Sequence, residues 1–237
     1  MLERPSMHHW LGTDLYGADV LNSCLLGMLS EAATLVCLGA VLHVGGVAFG
    51  VFAGSLRPGA AKSAASGWVS LWAALPHFLF AVVLLIVLGA GWWQLWLAIL
   101  SPLLASHLLL GLDAASQFLR HPSAQAAQAL GFSGSSFRRF QLLPAVHRTL
   151  LPSTMARLPE ILWLHLSLSF FGFGTRPPQP SLGRLMFDGL PFLEAAWWTW
   201  LPPALVVCGL GVTVSRLSTP ERFGRILAYF RQQSVEA

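Results

Sequence analysis

Five long apolar runs separated by polar intervals set the pattern of this chain. They fall at about 32–54, 68–89, 93–112, 151–172 and 195–214. Each approaches the ~20 apolar residues that the hydrocarbon core of a bilayer requires, so each predicts a membrane-crossing helix. Gly39, Gly45, Gly46 and Gly50 in the first run permit close helix contact. Gly91, Trp92 and Trp93 read as a tight aromatic turn between the second and third runs, with indoles at headgroup level. Pro202 and Pro203 are expected to bend the fifth run. Residues 1–30 are too polar to span, and within them 20–28 reads as an amphipathic helix at the interface. The expected fold class is all-α, a polytopic membrane protein with about five transmembrane helices.

The longest polar interval, 113–150, lies between the third and fourth runs, and its centre reads HPSAQAAQALGFSGSSFRRFQLLP from His121 to Pro144. Pro122 suits a first helical position, the residues up to Leu130 are mostly strong helix formers, and Gly131 suits a left-handed cap. A second short helix is expected after it, capped by Ser133, Ser135 or Ser136. Phe137, Phe140 and Leu143 would share one face, Arg138 and Arg139 would point elsewhere, and Pro144 would stop or kink it. Two short helices joined at a glycine make a protrusion suited to a groove on a partner, against the plainer reading of a solvated loop.

Composition agrees with the apolar pattern. The chain is 55% hydrophobic and 10% charged, with ten Trp, whereas soluble domains carry about 25% charge. Its pI near 9.5 does not point to nucleic acid. The basic residues flank apolar runs, where they set topology. With the 113–150 interval in the cytoplasm, eleven Lys and Arg fall inside and only Arg4, Arg176 and Arg184 outside. That bias expects the N-terminus outside, the C-terminus inside and an odd number of spans. The predicted organisation is an extracytoplasmic or interfacial segment 1–30, a transmembrane domain 31–217 and a cytoplasmic tail 218–237. The loop 113–150 would be cytoplasmic and 174–194 extracytoplasmic. Nothing at the N-terminus has the layout of a signal peptide, so insertion is expected to rely on the spans. Cys24, Cys37 and Cys208 are scattered, without a C-x-x-C, and are expected to be packed thiols.

Candidate chemistry is sparse. The sequence has no G-x-x-x-x-G-K-[ST] phosphate loop, so energy from ATP would have to come from another subunit, and no hydrolase or redox motif appears. No cofactor or metal of its own is expected, and the chain is not expected to be an enzyme. Asp14 and Asp19 suit turn and capping roles better than a cation site. His8 and His9 read as a solvated pair. Ionisable groups inside apolar runs are costly unless paired or facing water. Arg157 and Glu160, three residues apart, are expected to pair structurally. His43, His77, His107 and His165 could ligate a metal, but a packed, hydrogen-bonded role is preferred. They keep open the alternative of a stand-alone secondary transporter or metal-ion channel.

Three motifs carry a resemblance to a known family. Gln125-Ala126-Ala127, Gly131 and Leu143-Pro144 keep the register of the E-A-A loop of ABC importer permeases, with Gln125 in place of Glu and Gln141 in place of a frequent Ile. His9 to Leu21, HWLGTDLYGADVL, resembles H-P-L-G-T-D-x-x-G-R-D-V-L. Leu168 to Gly174 and Pro177 to Gly183 resemble L-S-F-L-G-L-G-x-x-P-P-x-P-S-W-G. Together, over roughly residues 9–205, they resemble the peptide and nickel branch, in particular its DppC-, OppC- and NikC-like permeases. The resemblance implies a bacterial inner-membrane importer subunit for peptides, nickel or metal chelates, working in membrane lipid. It would act with a second similar permease, two ABC ATPase subunits and an extracytoplasmic binding protein. It also implies ATPase coupling through Pro122, Gln125, Ala126, Ala127, Gly131, Arg138, Arg139, Leu143 and Pro144. Glu160 and His165 are the candidates for the translocation path, since the family usually carries Glu where His165 stands. The family's extra span before the G-T-D motif does not precede it in this sequence, so either the chain has lost that span or its true start lies upstream, and the family's usual C-terminal motif is replaced by Val214 to Pro220.

Overall fold

The computed structural model describes residues 2–54, 67, 70, 76–174 and 181–219, and among these the regular structure is helical, with a single isolated bridge between Thr13 and Asp19. The helices are α1 (Val20–Gly54), α2 (His77–Leu88), α3 (Trp92–Arg120), α4 (Pro122–Ala129), α5 (Gly134–Phe137), α6 (Leu143–Phe170), α7 (Leu182–Gly189) and α8 (Leu201–Leu217). A π-helical turn at Arg138–Leu142 links α5 to α6, and 3-10 turns occupy Leu190–Phe192 and Trp197–Thr199. Val20–Gly54, Trp92–Arg120 and Trp197–Leu217 are each long and apolar enough to cross a membrane. The predicted fourth run lies inside the 28-residue α6, and the predicted second run includes the shorter apolar α2. The chain is an all-α, multi-pass membrane protein. The predicted Arg57 and Lys62 loop, most of 68–75, residues 175–180 and the tail from 220 lie outside the described residues.

Several local expectations are corrected. The interfacial helix 20–28 and the first span are one continuous helix of 35 residues. Glu31, between the two expected segments, is buried within that helix and meets His165 of α6 through Oε2. Pro202 and Pro203 stand at the start of α8, where a missing N–H costs nothing, so they begin the helix rather than bend it. Pro144 does not stop the helix either, because α6 runs through it. A proline ring collides with the carbonyl four residues back, here Phe140, and the wider π turn at Arg138–Leu142 is the local expansion that relieves such a collision. The stretch after Gly174, expected to be a loop, contains α7, entered from the extended Ser181.

The chain forms two compact units. Among the described residues, one comprises 2–38, 78–99, 158–174 and 181–219, the other 39–54, 76–77 and 100–157. In the second unit, α1 and α3 meet along small residues. Gly50 faces the backbone of Gly111, and Gly54 faces Ala115, so a side chain at Gly50 would collide with main chain. Against this seam packs a core of Ala114, Ala124, Phe137, Leu142, Val146 and Leu150. In the first unit, α7 lies on α1 and α6. Leu182 is fully buried against Gly27, and Gly183 is so close to the backbone of Leu166 and Phe170 that no larger residue fits.

Candidate functional site

The loop from His121 to Pro144 is built on the second unit's core. His121 closes the N-terminus of α4: its Nδ1 accepts from the Ser123 amide at 3.3 Å and lies 2.8 Å from the Ser123 hydroxyl. Pro122 takes the first helical position. At the other end Gly131 adopts φ +93°. Its amide donates to the Gln128 carbonyl at 3.0 Å, and that of Phe132 to Ala127 at 3.1 Å. This pair of bonds satisfies carbonyls that the helix end would otherwise leave open, and it requires the left-handed residue between them. Ala124 and Ala127 point into the core, whereas Gln125, Ala126 and Gly131 are exposed. Thus α4 is anchored by one small-residue face and presents the other.

The π turn resets the face of the segment that follows. The sequence expects Phe137, Phe140 and Leu143 on one stripe, but Phe137 is buried while Phe140 and Leu143 are 61% and 44% exposed. With five residues per hydrogen-bonded turn, Leu142 follows Phe137 into the core, then Val146 and Leu150 continue at ordinary α spacing. Phe140 therefore stands outside with Arg138 and Arg139, the Arg139 guanidinium 5.7 Å from its ring centre. With Leu130, 81% exposed, and Phe132 nearby in sequence, the loop displays apolar and cationic groups together. Pro144 is half-buried at the start of α6.

Polar groups on the long helices α1, α3 and α6 form two sets. In the first unit, His165 Nδ1 lies 2.7 Å from Glu31 Oε2, and the two residues are only 6% and 1% exposed. Sequence reasoning missed Glu31. Its signal was an acidic residue with apolar helix on both sides, easily mistaken for the edge of a span. Glu31 Oε1 has no partner among the described residues. Ionisable groups buried in apolar surroundings are costly unless partnered, and this contact gives each of the two a partner. Glu160 and Arg157 both lie in α6 and are half-buried.

The second set lies in the second unit. His43 Nδ1 and His107 Nε2 lie 3.0 Å and 2.9 Å from Thr154 Oγ1, which donates to the Leu150 carbonyl at 3.0 Å. Thr154's one proton is spent on that carbonyl, so both imidazoles donate to its oxygen. His43 Nε2 is then an acceptor and receives the His147 Nδ1 proton over 2.8 Å. The packed reading of His43 and His107 fits this arrangement, and His147 joins them unforeseen. Among the described residues no three His, Cys, Asp or Glu side chains are placed to hold a metal.

Nearer the N-terminus, Asp14 accepts from the amides of Tyr16 and Ala18, and Asp19 caps α1 through the Asn22 amide. His9 is no free tail, since its Nδ1 lies 2.9 Å from Asp19. That hydrogen bond holds the Asp19 carboxyl below its usual range. Cys24 is buried, whereas Cys37 and Cys208 are exposed, so only the first is a packed thiol within this chain.

Residues 46–219 match the family described as binding-protein-dependent transport system inner membrane component. The chain belongs to this family. It is therefore a multi-pass protein of the bacterial inner membrane. Among curated relatives, the inner membrane ABC transporter permease protein YejE of Escherichia coli K12 is 32% identical over 203 residues, 81% of this chain. The oligopeptide transport system permease protein OppC of Mycobacterium tuberculosis H37Rv is 27% identical, covering 87% of this chain and 72% of the relative. The dipeptide transport system permease protein DppC of Bacillus subtilis is 25% identical, covering 86% and 63% respectively. The chain spans 56% of the length of YejE.

Proposed function

We propose that this family member is the permease subunit of an ATP-driven importer of peptides. The observation that carries the reading is the family match across 46–219, which includes the His121 to Pro144 loop, joined to relatives named for oligopeptide and dipeptide transport. Those names favour peptide cargo over nickel or metal chelates. The proposed partners are a second, similar permease, two ABC ATPase subunits that bind the ATP, and an extracytoplasmic binding protein. The chain itself would perform no chemistry and carry no cofactor.

In this reading the loop is cytoplasmic and docks in a groove of an ATPase subunit. An exposed apolar and basic surface on a pre-formed helix–glycine–helix unit suits that task. Gln125, Ala126, Gly131, Arg138, Arg139 and Leu143 supply the exposed face, and Pro122, Ala127 and Pro144 shape the unit that bears it. Closure of the ATPase pair would move the spans as rigid bodies and switch the pore between faces. Glu160 and His165 remain the proposed translocation-path groups, with Glu31 now added beside His165. Copurification tests the core of the proposal. The tagged chain, expressed with its neighbouring genes, should bring down ATPase subunits and a second permease, and the assembly should take up peptide only with ATP. Peptide uptake by the chain alone, driven by an ion gradient, would instead establish the secondary-transporter alternative.

A further inference from the structure

A cavity of about 440 Å³ lies in the first unit, walled by the N-terminal segment, the start of α1, α7 and the turns that follow α7. That size and its lining of Leu15, Leu185 and Phe192 suit a small ligand with an apolar body. Asp14, Arg184 and Asp188 also line it. Arg184 is already committed, its Nε donating to both Asp188 oxygens at 2.9 and 3.1 Å. The Asp188 charge is thereby cancelled and that of Asp14 remains, so the wall carries one net negative charge. Ser181, 5% exposed, also lines the cavity, and its hydroxyl has no partner among the described residues. A buried open hydroxyl in a wall that also carries a carboxylate, whose Oδ1 accepts the Tyr16 and Ala18 amides, suits a cationic N–H donor.

One face of α1 relates this cavity to the buried pair. Val20 and Ser23 line the cavity, Gly27 takes the Leu182 side chain, and Glu31 meets His165. At spacings of three, four and four, these residues stack along one stripe of the helix. Leu182 therefore stands between the cavity and the Glu31–His165 pair along that stripe.

We propose that this cavity binds a primary ammonium group attached to an apolar body, the free N-terminal end of a short apolar peptide. Naming the ligand as cargo rests on the peptide-importer reading, but binding itself does not. The ammonium is held by Asp14 and the Ser181 hydroxyl, and the apolar side chain fills the space between Leu185 and Phe192.

The test uses the full chain in lipid nanodiscs, without a binding protein, titrated by calorimetry with Leu-Leu and with N-acetyl-Leu-Leu. Leu-Leu is expected to bind, and acetylation, which removes the charge, to weaken binding by about ten-fold or more. Ala18 is an exposed residue of the cavity wall, and Ala18→Phe should abolish binding while leaving the thermal unfolding transition in place. Failure of Leu-Leu to bind the unaltered chain, or equal affinity for both peptides, overturns the proposal without any variant being needed. So does mass spectrometry showing a phospholipid retained by the unaltered chain and lost from Ala18→Phe, because the cavity would then be a lipid site. Loss of ATPase copurification with Leu-Leu binding intact would defeat the importer reading and leave this site standing.

Discussion

Gly131 has open space where a side chain would begin, so its requirement is purely one of backbone conformation. At φ +93° a β-branched residue is strained by about 1–2 kcal/mol. Gly131→Val is expected to leave the membrane core assembled but to loosen the loop, raising ATP hydrolysed per peptide transported in proteoliposomes. Gly131→Asn, which tolerates the left-handed region, should retain most coupling; unchanged stoichiometry in the valine variant would remove Gly131 from the coupling role. The glycine was legible in the sequence because a helix former run ending at Gly has one common solution. His165 stood out in the sequence, but its pairing with Glu31 did not, since the two lie 134 residues apart and only the packing of α1 on α6 unites them. Cutting one partner out strands the other in an apolar interior, which costs about 3–5 kcal/mol. Thus His165→Leu and Glu31→Leu should each lower the unfolding temperature sharply, while the two together should recover much of it. Strictly additive losses in that cycle would show that the pair is not an energetic unit.

At the scale of elements, the apolar runs announced the spanning helices, and caps announced α4. What the sequence obscured was how helices join. A polar residue inside a run looked like an end, yet α1 continues through Glu31, and a proline looked like a stop, yet α6 continues through Pro144. The π turn explains the second case and makes a sharp prediction. Five residues, Arg138 to Leu142, fill a turn where four would suffice, so deleting Arg139 lets an ordinary α-helix form. The loop beyond it would then rotate by about 100° relative to α6. Peptide uptake should collapse while copurification with the second permease persists, and full uptake by the deletion variant would show that the loop's facing is unimportant. Helix α7 escaped notice for another reason. Its eight residues are too short for periodicity to stand out beside Pro- and Gly-rich sequence.

For the whole molecule, the proposed topology, drawn from the bias of basic residues, has the His121 to Pro144 loop inside the cell and the α7 region outside. A membrane-impermeant thiol reagent applied to intact spheroplasts should therefore label a cysteine at Phe187 and spare one at Gln125, both in a background lacking the three native cysteines. Labelling with the opposite pattern would defeat the docking reading at once. Family and fold class were readable because they rest on short motifs and on hydropathy, whereas cargo was not, because selection needs contacts that motifs do not encode. The meeting of Gly50 with Gly111 adds a mechanical condition. Main chain touches main chain there, with no flexible side chain to yield between them. Any Cβ added at Gly50 or Gly111 would meet that opposing main chain, so a larger residue at either position is expected to wedge α1 and α3 apart.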